Sequence, residues 1–154
     1  MAVDSNWNEL LTKHGAESSV RFTTDEMDGM RDRGAVFSHN HPNGSSFSLD
    51  DIKFARSINA AEIRATTRDG TTFRMRPGAD GWPTIEPTGA LHDESLEGRY
   101  FEHHAETLGD YRAAIKRGDM TVDEANKRHY DEVWRKVAAD DPRHLVYTRE
   151  APDA

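Results

Sequence analysis

Val36-Phe-Ser-His-Asn-His-Pro-Asn-Gly-Ser-Ser-Phe-Ser-Leu-Asp-Asp-Ile52 is the stretch on which the reading of this chain turns. The β-forming run from Val36 leads into His39 and His41, which at i and i+2 project from the same face of an extended segment. Pro42, Asn43 and Gly44 break that strand with turn chemistry, and Ser48 to Asp51 reads as the opening of a helix. Such a turn brings Asp51 back toward the two histidines. Two neutral imidazoles and one carboxylate, with a fourth position left for water, make an open metal site of the kind used by catalytic zinc. The same residues also read more plainly, as a strand end followed by a helix whose Ser48 cap is completed by Asp51 in an S-x-x-D box.

Working outward, Ala35 to His39 is a strand, followed by the metal loop and a helix over about 49 to 60. Upstream, residues 2 to 22 suggest two short strands around Gly15. Thr23 to Arg33 follows as a short acidic helix, entered by a Thr23/Glu26 capping box and closed by Gly34. Downstream, Glu62 to Arg76 is the clearest hairpin, because Asp69-Gly70 suits a type I′ turn between two arms that alternate in polarity. Ile63, Ala65, Phe73 and Met75 are expected to face inward, and Arg64, Arg74 and Arg76 to face solvent.

Breakers cluster at residues 77 to 90, where Pro77-Gly78, Gly81-Trp82-Pro83 and Pro87-Thr88-Gly89 separate two differently patterned halves. Trp82 is expected to pack against the core. From Asp93 to Arg117 the apolar positions Leu96, Tyr100, Phe101, Ala105, Leu108, Tyr111 and Ile115 recur at threes and fours, the stripe of an amphipathic helix. Gly118 ends it, and Thr121 with Glu124 opens a second helix, whose apolar positions Val122, Ala125, Tyr130, Val133, Trp134 and Val137 continue it toward Ala139. His144 to Thr148 is a short β-like tail able to add a strand to the sheet. The fold class expected is therefore α/β, a small mixed sheet with flanking helices plus a C-terminal helical hairpin. Its boundaries divide the chain into residues 1-80 and an extension over 81-154 that packs on the first part.

The motif resembles the JAMM/MPN (JAB-type) metalloproteases, whose signature is His-x-His-Pro followed by Ser-x-x-Asp. His39-Asn40-His41-Pro42 matches its first half and Ser48-Leu49-Asp50-Asp51 its second. The fuller run His-Asn-His-Pro-x-Gly-x-x-Phe-Ser-x-x-Asp-Ile is similar to the branch found in phage head-morphogenesis proteins and bacterial polymorphic toxins. The resemblance implies that His39, His41 and Asp51 hold Zn²⁺ and that the Ser48 hydroxyl stabilises a tetrahedral intermediate. It implies hydrolysis of a peptide or isopeptide bond, with a protein or peptide substrate and a phage or toxin-complex protein as partner. The loop between His41 and Asp51 is one residue shorter than the usual family pattern. Family members also carry a Glu on an earlier strand, which takes the proton from the attacking water. Comparison with the family's first hairpin places that Glu at or before Met1. Within the chain the candidates are Glu9, Glu17 and Glu26, of which Glu26 is better read as the helix cap. An alternative is a catalytically incomplete JAMM-like module, retained for binding or structure.

Composition narrows the remaining classes. Hydrophobic residues make 35% of the 154 and charged ones 31%, so the core is small and surrounded by solvated helix. A formal net charge of −8 argues against nucleic acid as the partner, since phosphate binding needs a basic face. The contiguous His-Asn-His also differs from HNH nucleases, whose catalytic residues are dispersed over a ββα unit. With no cysteine, any zinc must be held by His and carboxylate. Neither a run of about 18 apolar residues nor a secretory leader pattern is present, so a protein without a membrane span is expected, cytoplasmic or else delivered or virion-associated through another domain. The pair His103-His104 points about 100° apart on a helix and lacks the i+4 spacing of helical metal sites.

Overall fold

A computed structural model describes residues 1–13, 21–85 and 95–152. Six strands form one mixed sheet in the order β2-β1-β3-β4-β5-β6, with four helices in the described chain. The strands are β1 (Ala2–Val3), β2 (Glu9–Leu11), β3 (Val36–His41), β4 (Glu62–Thr67), β5 (Thr72–Pro77) and β6 (Leu145–Glu150). The helices are α1 (Thr24–Met30), α2 (Leu49–Ser57), α3 (Leu96–Arg117) and α4 (Val122–Asp140). The mixed α/β fold with a C-terminal helical pair is the one the sequence patterns imply.

β3 and β4 are the one parallel pair among these strands, joined through α2, and every other neighbouring pair is antiparallel. A parallel pair needs a crossover, and the loop after His41 together with α2 supplies it. The register sets Phe37 opposite Ile63, His39 opposite Ala65 and His41 opposite Thr67. Since facing residues share a face, the histidines stand on the face that also carries Ile63, Ala65, Phe73 and Met75, all buried. Burial on that face continues to Phe47, Ile52, Leu96, Val133, Trp134 and Val137, so sheet and helices share one core. Arg64 and Arg74 face each other on the opposite side, ion-paired to Glu62 and Glu150.

Each helix begins where its cap dictates. Thr23, Ser48 and Thr121 each close a capping box with the acid three residues on, and Ser95 caps α3 by accepting from the Gly98 amide. Gly118, at φ 83°, ends α3 in the left-handed conformation that glycine adopts without steric cost. α2 stops at Ser57, short of residue 60, because Ile58 and the left-handed Asn59 (φ 48°) turn the chain back toward β4.

Several expectations need correction. The first two strands do not flank Gly15, which lies outside the described residues; they turn at Asp4–Asn8, where the Asp4 carboxylate accepts from the Asn6 and Asn8 amides and Trp7 takes φ 64°. The β4–β5 turn is not type I′. Gly70 alone of the Asp69-Gly70 pair has a positive φ, at 87°, because the Asp69 carboxylate is occupied with the Thr67 hydroxyl and the Thr71 amide. The resulting connection is longer, with the Gly70 amide bonded to the Thr67 carbonyl and the Thr67 amide to the Thr71 carbonyl. On α3 the buried row is Leu96, Tyr100, Thr107 and Tyr111, while Phe101 and Ala105 face solvent. The α4 stripe loses Val122 to solvent in the same way and buries His129 and Asp131 instead.

Two features of the second half fix its place. The tail after α4 forms β6, which pairs along the whole of β5 from Thr72–Glu150 to Pro77–Leu145. Gly78 permits the turn into that edge, because a β-carbon there would stand 2.3 Å from the Arg143 carbonyl oxygen. Trp82 packs on the core and donates its indole N–H to the Ala60 carbonyl. No helix in the described residues is long and apolar enough to cross a membrane.

Candidate metal centre

His39 and His41 end β3, Asp51 lies in the first turn of α2, and the loop between them folds back so that all three side chains meet. The Nε2 atoms of the histidines are 2.7 Å apart. Asp51 presents one oxygen to each: Oδ1 is 3.5 Å from His39 Nε2 and Oδ2 is 3.5 Å from His41 Nε2. Ligands about 2.0–2.1 Å from a tetrahedral ion lie ~3.3 Å from one another, and the observed spacings bracket that value. The side chains keep 17%, 15% and 26% of their surface, which leaves an approach from solvent. Among the described residues no further His, Asp or Glu joins the group.

Proton counting decides which atoms are available. His41 Nδ1 lies 2.9 Å from the Ser45 carbonyl and 3.1 Å from the Ser46 carbonyl, and a carbonyl only accepts, so Nδ1 carries the hydrogen. In the neutral ring Nε2 is then a bare lone pair aimed at His39 and Asp51. A ring N–H held by backbone carbonyl is the usual orientation of a metal-bound histidine. His39 differs, because its buried Nδ1 has no hydrogen-bond partner. Phe37 and Phe47 flank its ring and fix it by packing.

Asp51 is oriented by its own helix. Its backbone amide donates to Ser48 Oγ at 3.2 Å, and its Oδ2 accepts from the Ser48 amide at 2.8 Å. Burial opposes a charge on this carboxylate, but the two histidines and the Ser48 amide outweigh it and hold the carboxyl well below the usual range. Burial likewise works against a charged His41, and the Asp51 carboxylate with the two loop carbonyls overcomes it, raising its pKa. Three ligand atoms around one small space thus attract a positive charge, whether proton or metal. The group is able to hold a metal ion.

Ser48 serves as helix cap, as its spacing implies. The cap uses its oxygen as acceptor, leaving the hydroxyl hydrogen to donate. Of the glutamates, Glu26 is committed to the Thr23 amide and to Lys13, each at 2.8 Å. Glu9 is exposed on β2, the outermost strand, and Glu17 lies outside the described residues. β1 approaches the site more closely, for Ala2 pairs with Phe37 and the Met1 amine donates to the Ser38 carbonyl. The structure places the two helical histidines apart: His103 bonds Asp140, while His104 packs against Tyr100 and His129.

The structure also brings in residues that the motif does not contain. Tyr147 of β6 bonds Ser46 Oγ and the Asp131 carboxylate, both at 2.8 Å, and Trp134 donates to the Phe47 carbonyl. No sequence signal marks them, since Ser46 and Tyr147 stand 101 positions apart. Comparison with protein-family models, curated proteins and solved structures finds no match to this chain.

Proposed function

We propose that the protein is a zinc-dependent hydrolase of JAMM type that cleaves a peptide or isopeptide bond. The observation that carries this reading is the convergence of His39, His41 and Asp51, with His41 Nδ1–H held by loop carbonyls. Two imidazoles and a carboxylate, with no thiolate in the chain, suit zinc in an open site. Zinc bound there supplies a Lewis acid that polarises a carbonyl and brings the pKa of water near neutrality. The Ser48 hydroxyl, free to donate, hydrogen-bonds the developing oxyanion of the substrate carbonyl. Asp51 keeps its charge through the cycle because the Ser48 amide and both histidines hold it.

Metal analysis of the purified protein tests the first half of the proposal, and His39→Ala is expected to remove the zinc. Incubation with peptide and isopeptide libraries tests the second, with cleavage that a chelator stops and added zinc restores. A protein that holds no zinc loses the whole reading. Zinc without cleavage leaves the metal and removes the hydrolase.

A second reading follows from the distribution of carboxylates. The proton shed by an attacking water needs an acceptor, and among the described candidates Glu26 is engaged by Lys13 and the Thr23 amide while Glu9 lies exposed on β2, two strands from the histidines. In this reading the chain is a metal-holding interaction module of a phage head or toxin complex. A stoichiometric partner that remains bound after His41→Ala would favour it.

A further inference from the structure

A hydrogen-bonded chain with buried ends and a half-buried tyrosine between them connects the metal loop to the helical hairpin, and its direction follows from the donors available. Tyr147 has one hydroxyl hydrogen, and Asp131 Oδ1, 2.8 Å away, can only accept it while ionised. Ser46 must therefore donate its own hydroxyl hydrogen to the Tyr147 oxygen, also at 2.8 Å. Ser46 is 0% exposed and Asp131 6%, so neither has water as a ready substitute. Asp131 is in turn held by Arg135 at 2.6 Å, with Arg149 at 3.8 Å. The Tyr147 ring stacks on Phe73 and meets Phe47 edge-on, which fixes the hydroxyl in place.

The backbone of Ser46 faces the other way. Its carbonyl, with that of Ser45, accepts the His41 Nδ1 hydrogen. The residue that Tyr147 grips by its side chain is thus one that aims His41 by its main chain. One position on, the Phe47 carbonyl is held by the Trp134 indole. The rest of the segment is anchored by the Asn43 side chain, which accepts from the Ser45 amide and hydroxyl, and by the buried Phe47 ring, so the two clamps act on the carbonyls that lie between these anchors.

We infer that Tyr147, set by Asp131, is a positioning residue of the metal centre: it locks Ser46 so that the loop carbonyls hold His41 Nε2 toward the metal. The last strand and α4 are then parts of the site rather than an appended support. This inference rests on the metal-holding reading of His39, His41 and Asp51. Outer partners of a metal-bound histidine commonly contribute ten- to a hundredfold in affinity.

The test compares wild type with Tyr147→Phe, Asp131→Ala and Asp131→Asn, and with Val137→Ala as a core variant of α4 outside the chain of bonds. Zn²⁺ affinity is measured by competition titration, the visible spectrum with Co²⁺ bound, and amide exchange over residues 43 to 47 in metal-free protein. Tyr147→Phe is expected to weaken zinc about tenfold, alter the Co²⁺ bands and speed loop exchange. Asp131→Ala should do the same, and the double variant should add nothing further. Asp131→Asn keeps an acceptor for the tyrosine and should recover most of the affinity. Wild-type affinity and spectrum in Tyr147→Phe overturn the inference and leave the metal site standing. An equal loss in Val137→Ala also overturns it, by showing that the effect is general stability. A wild-type protein that takes up no metal overturns the inference and the underlying reading together.

Discussion

Trp134 donates its indole N–H to the Phe47 carbonyl at 2.8 Å, and both residues are fully buried. One bond ties the middle of α4 to the loop between the metal-directed histidines and α2. Trp134→Phe removes the donor and leaves a buried carbonyl without its partner, and it also leaves unfilled space. A loss of about 3 kcal/mol in unfolding free energy is expected, from cavity and unpaired-carbonyl terms together. Urea denaturation measures it, and a loss under half that size would mean that the loop is held elsewhere.

His39→Ala, His41→Ala and Asp51→Ala should each abolish stoichiometric metal. For wild type, chelation should lower the melting temperature and zinc should restore it, since a ligand that binds only the folded state stabilises by mass action, by roughly 2.7 kcal/mol at a hundred times Kd. Binding releases protons from the imidazoles, so affinity must fall as pH is lowered. Calorimetric titration in buffers of different ionisation heat counts those protons. Retention of metal by any of the three variants would exclude that residue as a ligand.

Ser48→Ala separates two roles of one hydroxyl. Loss of the cap should cost about 1 kcal/mol of stability, and Ser48→Gly only a few tenths. If the hydroxyl also serves an oxyanion, both variants should lose about 10²-fold in turnover. Equal turnover in wild type and Ser48→Gly would reduce Ser48 to a cap.

Asp69 gives a pH signature remote from the site. The Thr67 hydroxyl and the Thr71 amide lower its pKa to about 2. A depressed carboxylate contributes stability that is present above its unfolded pKa of about 3.9 and is lost as pH falls toward 2. The stability difference between wild type and Asp69→Ala should accordingly be constant near neutrality and shrink below pH 4. Denaturant midpoints across that range decide it, and a pH-independent difference would show that the charge is not what the turn uses.

Local chemistry set much of this protein before any tertiary contact. Thr23, Ser48 and Thr121 start their helices because each finds an acid three residues later, and that signal needs only one turn of chain. His39 and His41 share a face because strand geometry alternates, and the Arg64/Arg74 face follows from the same period. Where several local solutions compete, the sequence alone misled: Asp69-Gly70 suits a type I′ turn, but the Asp69 carboxylate found better partners in Thr67 and Thr71. Periodicity likewise nominated Phe101 and Val122, which lie 53% and 60% exposed, on flanks of the hairpin turned away from the sheet-facing row that Tyr100 and Val133 bury.

Tertiary structure alone decided how the site is held. That His39, His41 and Asp51 could share an ion is written in a short motif, since strand, turn and helix start lie within a few residues of one another. That His41 is aimed by carbonyls which Tyr147, Asp131 and Trp134 secure is not, because hydrogen bonds across 101 and 87 positions leave no pattern along a chain. They exist only once β6 has paired with β5 and α4 has packed on the sheet. The sequence determined which atoms are offered to a metal, and the packing of distant elements decided how firmly they are presented.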